Sequence, residues 1–225
     1  MRRPIPYAKS RGHQARESSL IISGLFLRLT GNWIRDSQRR TLLTLPPSPW
    51  KEFLQALDAK MTEVCTLPCF GGFAVTLEYG ISRTTSDIDV LDVAPPRVVD
   101  ILIREGGKGS PLAIEHKVYL DFVGIANPPY NYESRLHPMF PGAFKHLRLM
   151  VMDPYDVALS KLKRDSDKDF QDVLQLAEKI PFDLGLFEKR YIEELRVNTT
   201  GKAGDNDFTF YRWKEAILED RAKKK

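Results

Sequence analysis

Cysteine is nearly missing from this chain: 225 residues carry only Cys65 and Cys69. Two thiols cannot build the disulfide framework that holds small secreted domains together. They read as small core residues of a soluble protein in a reducing, cytoplasmic compartment. Long apolar runs are missing as well. A membrane span needs about 18 consecutive apolar residues, and the best run, LIISGLFL at 20–27, stops at Arg28. No small-residue cleavage site follows it, which argues against a secretory signal. His116, His137 and His146 lack a metal-ligand spacing, and no internal repeat is visible.

Apolar residues make up 42% of the chain and charged residues 28%. That balance supports a real core and argues against global disorder. The net charge of +4 is unevenly placed. Residues 1–40 hold nine basic and two acidic residues, a balance of +7, and residues 41–225 hold 25 basic and 28 acidic, a balance of −3. The basicity therefore belongs to an N-terminal arm, residues 1–45. The arm reads as a solvated, poorly ordered leader, with contact to nucleic acid or an anionic surface as the alternative.

Three prolines in TLPPSPW, residues 44–50, mark the end of the arm. Ser48 is placed to cap a helix with Pro49 at its first position. Trp50, Phe53, Leu54, Leu57 and Met61 follow at helical spacing, so a helix is expected over 49–61. A short strand to Phe70, a turn at Gly71-Gly72 and a short helix come next. Alternating acidic and apolar residues predict a strand over 87–93. Pro95-Pro96 opens a helix to about Arg104. Strands are expected over 117–123 and 147–152, with a Pro/Asn/Tyr-rich loop over 126–142. The remainder reads as four helices: 153–164, one capped by Ser166, 183–196 and 206–222. The fold class is α+β: a mixed sheet with flanking helices over 46–152, followed by a helical portion over 153–225.

Asp87 and Asp89 carry the chemistry. On a strand, residues i and i+2 share a face, so these two carboxylates stand side by side. At about 6 Å and an effective dielectric near 20 they repel by about 3 kcal/mol. A divalent cation relieves such a pair, and Mg²⁺ suits it because Mg²⁺ takes oxygen ligands and completes its shell with water and nucleotide phosphates. Gly71 and Gly72 supply the other half, since backbone N–H groups without side chains can approach a phosphate closely.

With these residues in hand, GGFAVTLEYGISRTTSDIDV resembles the signature of the polymerase-beta-like nucleotidyltransferase superfamily. Together with LRLMVMDPYDVALSKLKRDSDKDFQDVLQLAE it is most similar to the small prokaryotic branch of AbiEii- and MenT-type toxins. The resemblance spans residues 50–195. It implies that Gly71 and Gly72 cradle phosphate and that Asp87 and Asp89 bind metal. A third carboxylate is implied, with Asp121 the first candidate and Glu115 its competitor. Lys161 would neutralise the triphosphate. Asp169 and Asp172 match a final acidic pair that orients the acceptor or holds Lys161, with Asp169 counted among the nucleotide-binding residues. Arg83 would reach a phosphate or pair with Asp87. Two features depart from the pattern: the serine hydroxyl of Gly-Ser versions is absent, and the 14 residues between Gly72 and Asp87 form a slightly long spacer.

The implied activity is a Mg²⁺- or Mn²⁺-dependent transfer of a nucleoside monophosphate from an NTP such as ATP. The implied acceptor is an RNA end, notably tRNA, or a protein side chain. The implied setting is a toxin with a cognate antitoxin, or phage defence, with no membrane partner. A non-catalytic nucleotide- or partner-binding member of the fold, and an enzyme modifying a small molecule such as an antibiotic, stand as alternatives. Plainer roles also stand beside several residues: Asp169 as part of a capping box with Ser166, Asp172 paired with Lys168, and Lys161 on a helix surface.

Overall fold

The apolar spacing that follows Pro49 forms α1 (Trp50–Asp58), which buries Trp50, Phe53, Leu54 and Leu57. Pro49 itself is the N-cap, and the Ser48 hydroxyl donates to Glu52 at 2.8 Å instead of capping. The computed structural model describes residues 45–91, 93, 95–123, 127–198, 202 and 204–224. The basic arm and its two readings lie outside the described residues, apart from Leu45.

Five strands form one mixed sheet: β1 (Cys65–Phe70), β2 (Asp87–Val90), β3 (Tyr119–Phe122), β4 (His137–Pro138) and β5 (Leu147–Val151), in the order β3-β2-β1-β5-β4. β1 runs parallel to β5, with Cys65 opposite Leu147 and Cys69 opposite Val151. β1 runs antiparallel to β2, with Phe70 opposite Asp89. β2 runs parallel to β3, which sets Asp89 level with Asp121. Ile88 and Val90 are buried on the far face and pin β2 to the core.

The helices differ from expectation mainly in their limits. α2 (Gly71–Leu77) takes in both glycines, so the expected turn is the first turn of the helix. A 3₁₀ turn (Pro96–Val98) leads into α3 (Val99–Gly106). α4 (Pro111–His116) was not expected; Ser110 caps it, its hydroxyl oxygen accepting the Ala113 N–H at 3.1 Å. The 126–142 loop contains a 3₁₀ turn (Tyr132–Arg135) and β4.

α5 (Pro154–Ser160) is shorter than expected and ends on Lys161. α6 (Asp167–Lys179) is capped by Ser166 as its sequence predicts. α7 (Leu184–Arg190) runs into a π-helical turn (Tyr191–Leu195), and α8 (Asp207–Lys223) packs against α6. Aromatic side chains fill the space between these helices. Tyr155 stacks on Phe182 at 4.5 Å and Tyr191 on Phe210 at 4.1 Å, and Phe187 lies 5.0 Å from both Phe182 and Phe210. Among the described residues no helix is long and apolar enough to cross a membrane.

Candidate active site

The site begins where β1 meets α2. Gly71 takes a left-handed backbone, φ +65°, and a Cβ there would stand 1.6 Å from Asp89 Oδ2. Only glycine meets both demands. Gly72 donates its backbone N–H to the Asp89 carboxylate. In this structure the glycine pair therefore first serves to seat Asp89.

Asp87, Asp89 and Asp121 each offer a carboxylate oxygen, and the three lie within 4.8 Å of one another. Pleating puts Asp87 and Asp89 on one face, and the parallel register brings Asp121 alongside. Burial pushes the Asp89 carboxyl up to about 6, the charges of Asp87 and Asp121 add to this, and the Gly72 N–H and the Lys161 charge oppose it. The Thr85 hydroxyl donates to Asp87 Oδ1. Glu115, the competitor for the third position, sits on α4 with its side chain exposed, 3.9 Å from His116, and is not among the clustered carboxylates.

A cleft of about 280 Å³ opens beside the triad, lined by Phe70, Gly71 and Asp89 on one side and by Ser160, Lys161, Lys163 and Arg164 among the residues on the other. Lys161 is 4% exposed, and its Nζ donates to Asp169 Oδ1 at 3.1 Å and Asp172 Oδ2 at 2.9 Å. Arg164 grips Asp169 with Nε at 2.6 Å and Nη2 at 2.5 Å. The Ser166 hydroxyl donates to the same carboxylate at 2.6 Å. Burial pushes Asp169 up, but these donors and the Lys161 charge carry its carboxyl far below the ordinary range.

Three expectations need revision. Asp169 does not line the cleft: it is fully buried behind Lys161 and Arg164, and its carboxylate is occupied by them. Its N–H is the one that the Ser166 cap satisfies, donating to Ser166 Oγ at 3.2 Å. Asp172 accepts from Lys161, not from Lys168. Arg83 pairs with Asp172 and not with Asp87, and its guanidinium lies against Gly72. Its buried Nε has no hydrogen-bond partner. Sequence reasoning passed over Lys163, Arg164 and Thr85. The basic run after α5, Lys161-Leu162-Lys163-Arg164, was a signal for the first two.

Residues 50–221 match the DUF6036 family, described as a nucleotidyltransferase of unknown function. The chain belongs to that family. No curated protein and no solved structure matches it. The DUF6036 match runs from the first residue of α1 to near the end of α8, so every residue of the triad and the cleft lies inside it.

Proposed function

We propose that this DUF6036 protein transfers a nucleoside monophosphate from an NTP to an acceptor hydroxyl. The observation that carries this reading is the meeting of three carboxylates with a basic cleft wall. Asp89 lines a cleft that Lys161, Lys163 and Arg164 also line, and Asp87 and Asp121 stand within 4.8 Å of it. The donor set is anionic and all-oxygen, which fits Mg²⁺ or Mn²⁺ and not a thiolate- or imidazole-bound metal. The Asp89 carboxyl, raised first by burial and then by the charges of Asp87 and Asp121, is one that a bound cation would relieve.

Asp87, Asp89 and Asp121 would hold a divalent ion, which would supply charge neutralisation for the triphosphate. The chain contributes position and electrostatics. Gly71 leaves room for Asp89, the basic wall draws the triphosphate along the cleft, and Asp169 and Asp172 hold Lys161 at its edge. The acceptor oxygen bonds to the α-phosphorus as the bond to the pyrophosphate oxygen breaks, so the chain carries no covalent intermediate.

The resemblance to AbiEii- and MenT-type toxins supports an RNA end, notably tRNA, or a protein side chain as acceptor, within a toxin–antitoxin or defence system. The test is incubation with Mg²⁺, each α-³²P-labelled NTP in turn and total cellular RNA, beside an Asp87→Ala/Asp89→Ala control. Label on RNA that disappears in the control supports transfer and names the base. Label on protein moves the acceptor to a side chain. Nucleotide bound with no label anywhere turns the reading to a non-catalytic module or a small-molecule acceptor.

A further inference from the structure

We infer that Thr85 is a positioning residue that holds Asp87 in the pose a divalent cation needs. Its role depends on the triad being a metal site, as proposed above.

Three carboxylates within 4.8 Å repel one another strongly. Asp89 cannot turn away easily, because its carboxylate is seated in the space that the missing Gly71 side chain leaves. Asp87 is half-buried at the first position of β2, and a swing of its side chain toward water would relieve the crowding. The Thr85 hydroxyl opposes that swing by donating to Asp87 Oδ1. A hydroxyl suits this position because it stabilises the anion without cancelling its charge, whereas an arginine or lysine in its place would compete with the cation.

Thr85 is itself held in place. A Cβ on Gly72 would lie 2.8 Å from Thr85 Oγ1, 3.1 Å from Thr85 Cβ and 3.2 Å from Arg83 Cζ. Thr85 and Arg83 therefore occupy the space that a side chain at position 72 would fill. Branching at Cβ restricts the Thr85 rotamer further. Arg83 anchors the same segment from its other end through its ion pair with Asp172. The second glycine of the pair thus has a reason apart from phosphate approach: its missing side chain admits the hydroxyl that orients Asp87.

The test is calorimetric titration of the full chain with Mn²⁺, without nucleotide, for the wild type, Thr85→Val, Thr85→Ala and Thr85→Ser. Loss of the hydroxyl in Thr85→Val is expected to weaken Mn²⁺ binding about tenfold, the low end for groups that orient a metal ligand. Thr85→Ala is expected to match it, and serves alone if valine prevents folding. Thr85→Ser is expected to bind within about twofold of the wild type. In EDTA the melting temperature and nucleotide affinity of the variants should follow the wild type, because the role is toward the metal. Raising Mn²⁺ tenfold should restore the transfer rate of Thr85→Val. Binding of Mn²⁺ by Thr85→Ala within twofold of the wild type overturns the inference, as does a Thr85→Ser variant as weak as Thr85→Ala. A wild type that binds no Mn²⁺ overturns the metal reading and this inference together, so the two failures are distinguishable.

Discussion

At the scale of single residues, the site is built from conflicts that the fold holds in place. Gly71 is the sharpest. Alanine there adopts a left-handed backbone at a cost of about 1–2 kcal/mol, and its Cβ must also displace the Asp89 carboxylate, which lies 1.6 Å from the required position. Gly71→Ala is expected to lower the melting temperature by about 5 °C, at about 2–4 °C per kcal/mol for this size. It should also abolish Mn²⁺ binding, measured by calorimetry on the folded variant. Asp89 shows the same tension in charge. Burial and two neighbouring carboxylates lift its carboxyl from 3.8 to about 6. An acid whose folded value is raised destabilises the fold once ionised: the cost is absent below about pH 4, grows as pH rises, and is complete above about 6. Asp89→Asn keeps an acceptor for the Gly72 N–H and removes the charge. It is expected to stabilise the metal-free protein by about 2 kcal/mol at pH 7.5, with the gain vanishing near pH 4 in a series of denaturant melts. Saturating Mn²⁺ should reverse the order, because only the wild type gains from the ion.

At the scale of elements, what the sequence disclosed depended on how local the deciding physics was. α1 was legible because four apolar residues repeat at helical spacing, and α6 because Ser166 announces its start. The glycine pair and the Asp87/Asp89 spacing were legible because each motif is contiguous. α4 was not: it has six residues, of which only Leu112 and Ala113 are buried, too few to show a period. β4 is two residues long and exists only because β5 offers it an edge. The cleft brings Lys163 and Arg164 to Phe70, Gly71 and Asp89, and no local window contains that meeting. A similar long-range tie joins α1 to β5. Asp58 accepts the N–H groups of Lys145, His146 and Leu147 at 3.0, 2.7 and 2.8 Å. Burial pushes the Asp58 carboxyl up, but these three backbone donors outweigh it and carry the net value below 3.8. A depressed acid stabilises the fold fully above its unfolded value and loses that contribution as pH falls. Asp58→Ala is expected to cost about 1–2 kcal/mol at pH 7. In urea melts the gap to the wild type should close below about pH 4, where the wild-type carboxylate takes up its proton.

At the scale of the whole molecule, the question is whether the sheet and the helical portion after residue 152 behave as one body. Two arginines carry ion pairs across that boundary, Arg83 to Asp172 and Arg135 to Asp156 and Glu194. Just before the boundary, the Tyr79 hydroxyl donates to the Met152 carbonyl and fixes the chain where it enters the Asp153 cap. Arg135, on the loop before β4, grips the fully buried Asp156 at 2.7 and 2.9 Å and Glu194 at 2.7 Å. Arg190 joins the same cluster at 2.6 Å from Asp153 and 3.1 Å from Asp156. Breaking one partner from a buried ionic cluster costs about 3–5 kcal/mol, because the remaining charge is left unpaired. That is a large share of the about 5–15 kcal/mol that separates a folded domain from its unfolded chain. Residues 46–152 and 153–225 are therefore expected to unfold in one transition, with calorimetric and van't Hoff enthalpies in agreement. The proposed cleft draws Asp89 and Gly71 from the sheet side and Lys161 and Arg164 from the helical side, so a nucleotide–metal complex bound there should tighten the same coupling. At a ligand concentration of about 100 times its Kd, binding to the folded state alone adds about 2.7 kcal/mol, or about 5–10 °C at this size. That shift should move the single transition as a whole and shrink in Asp87→Asn to what nucleotide gives in EDTA. Two resolved transitions, with only one of them moved by ligand, would place the nucleotide on one side of residue 152 and remove the basic wall from the site.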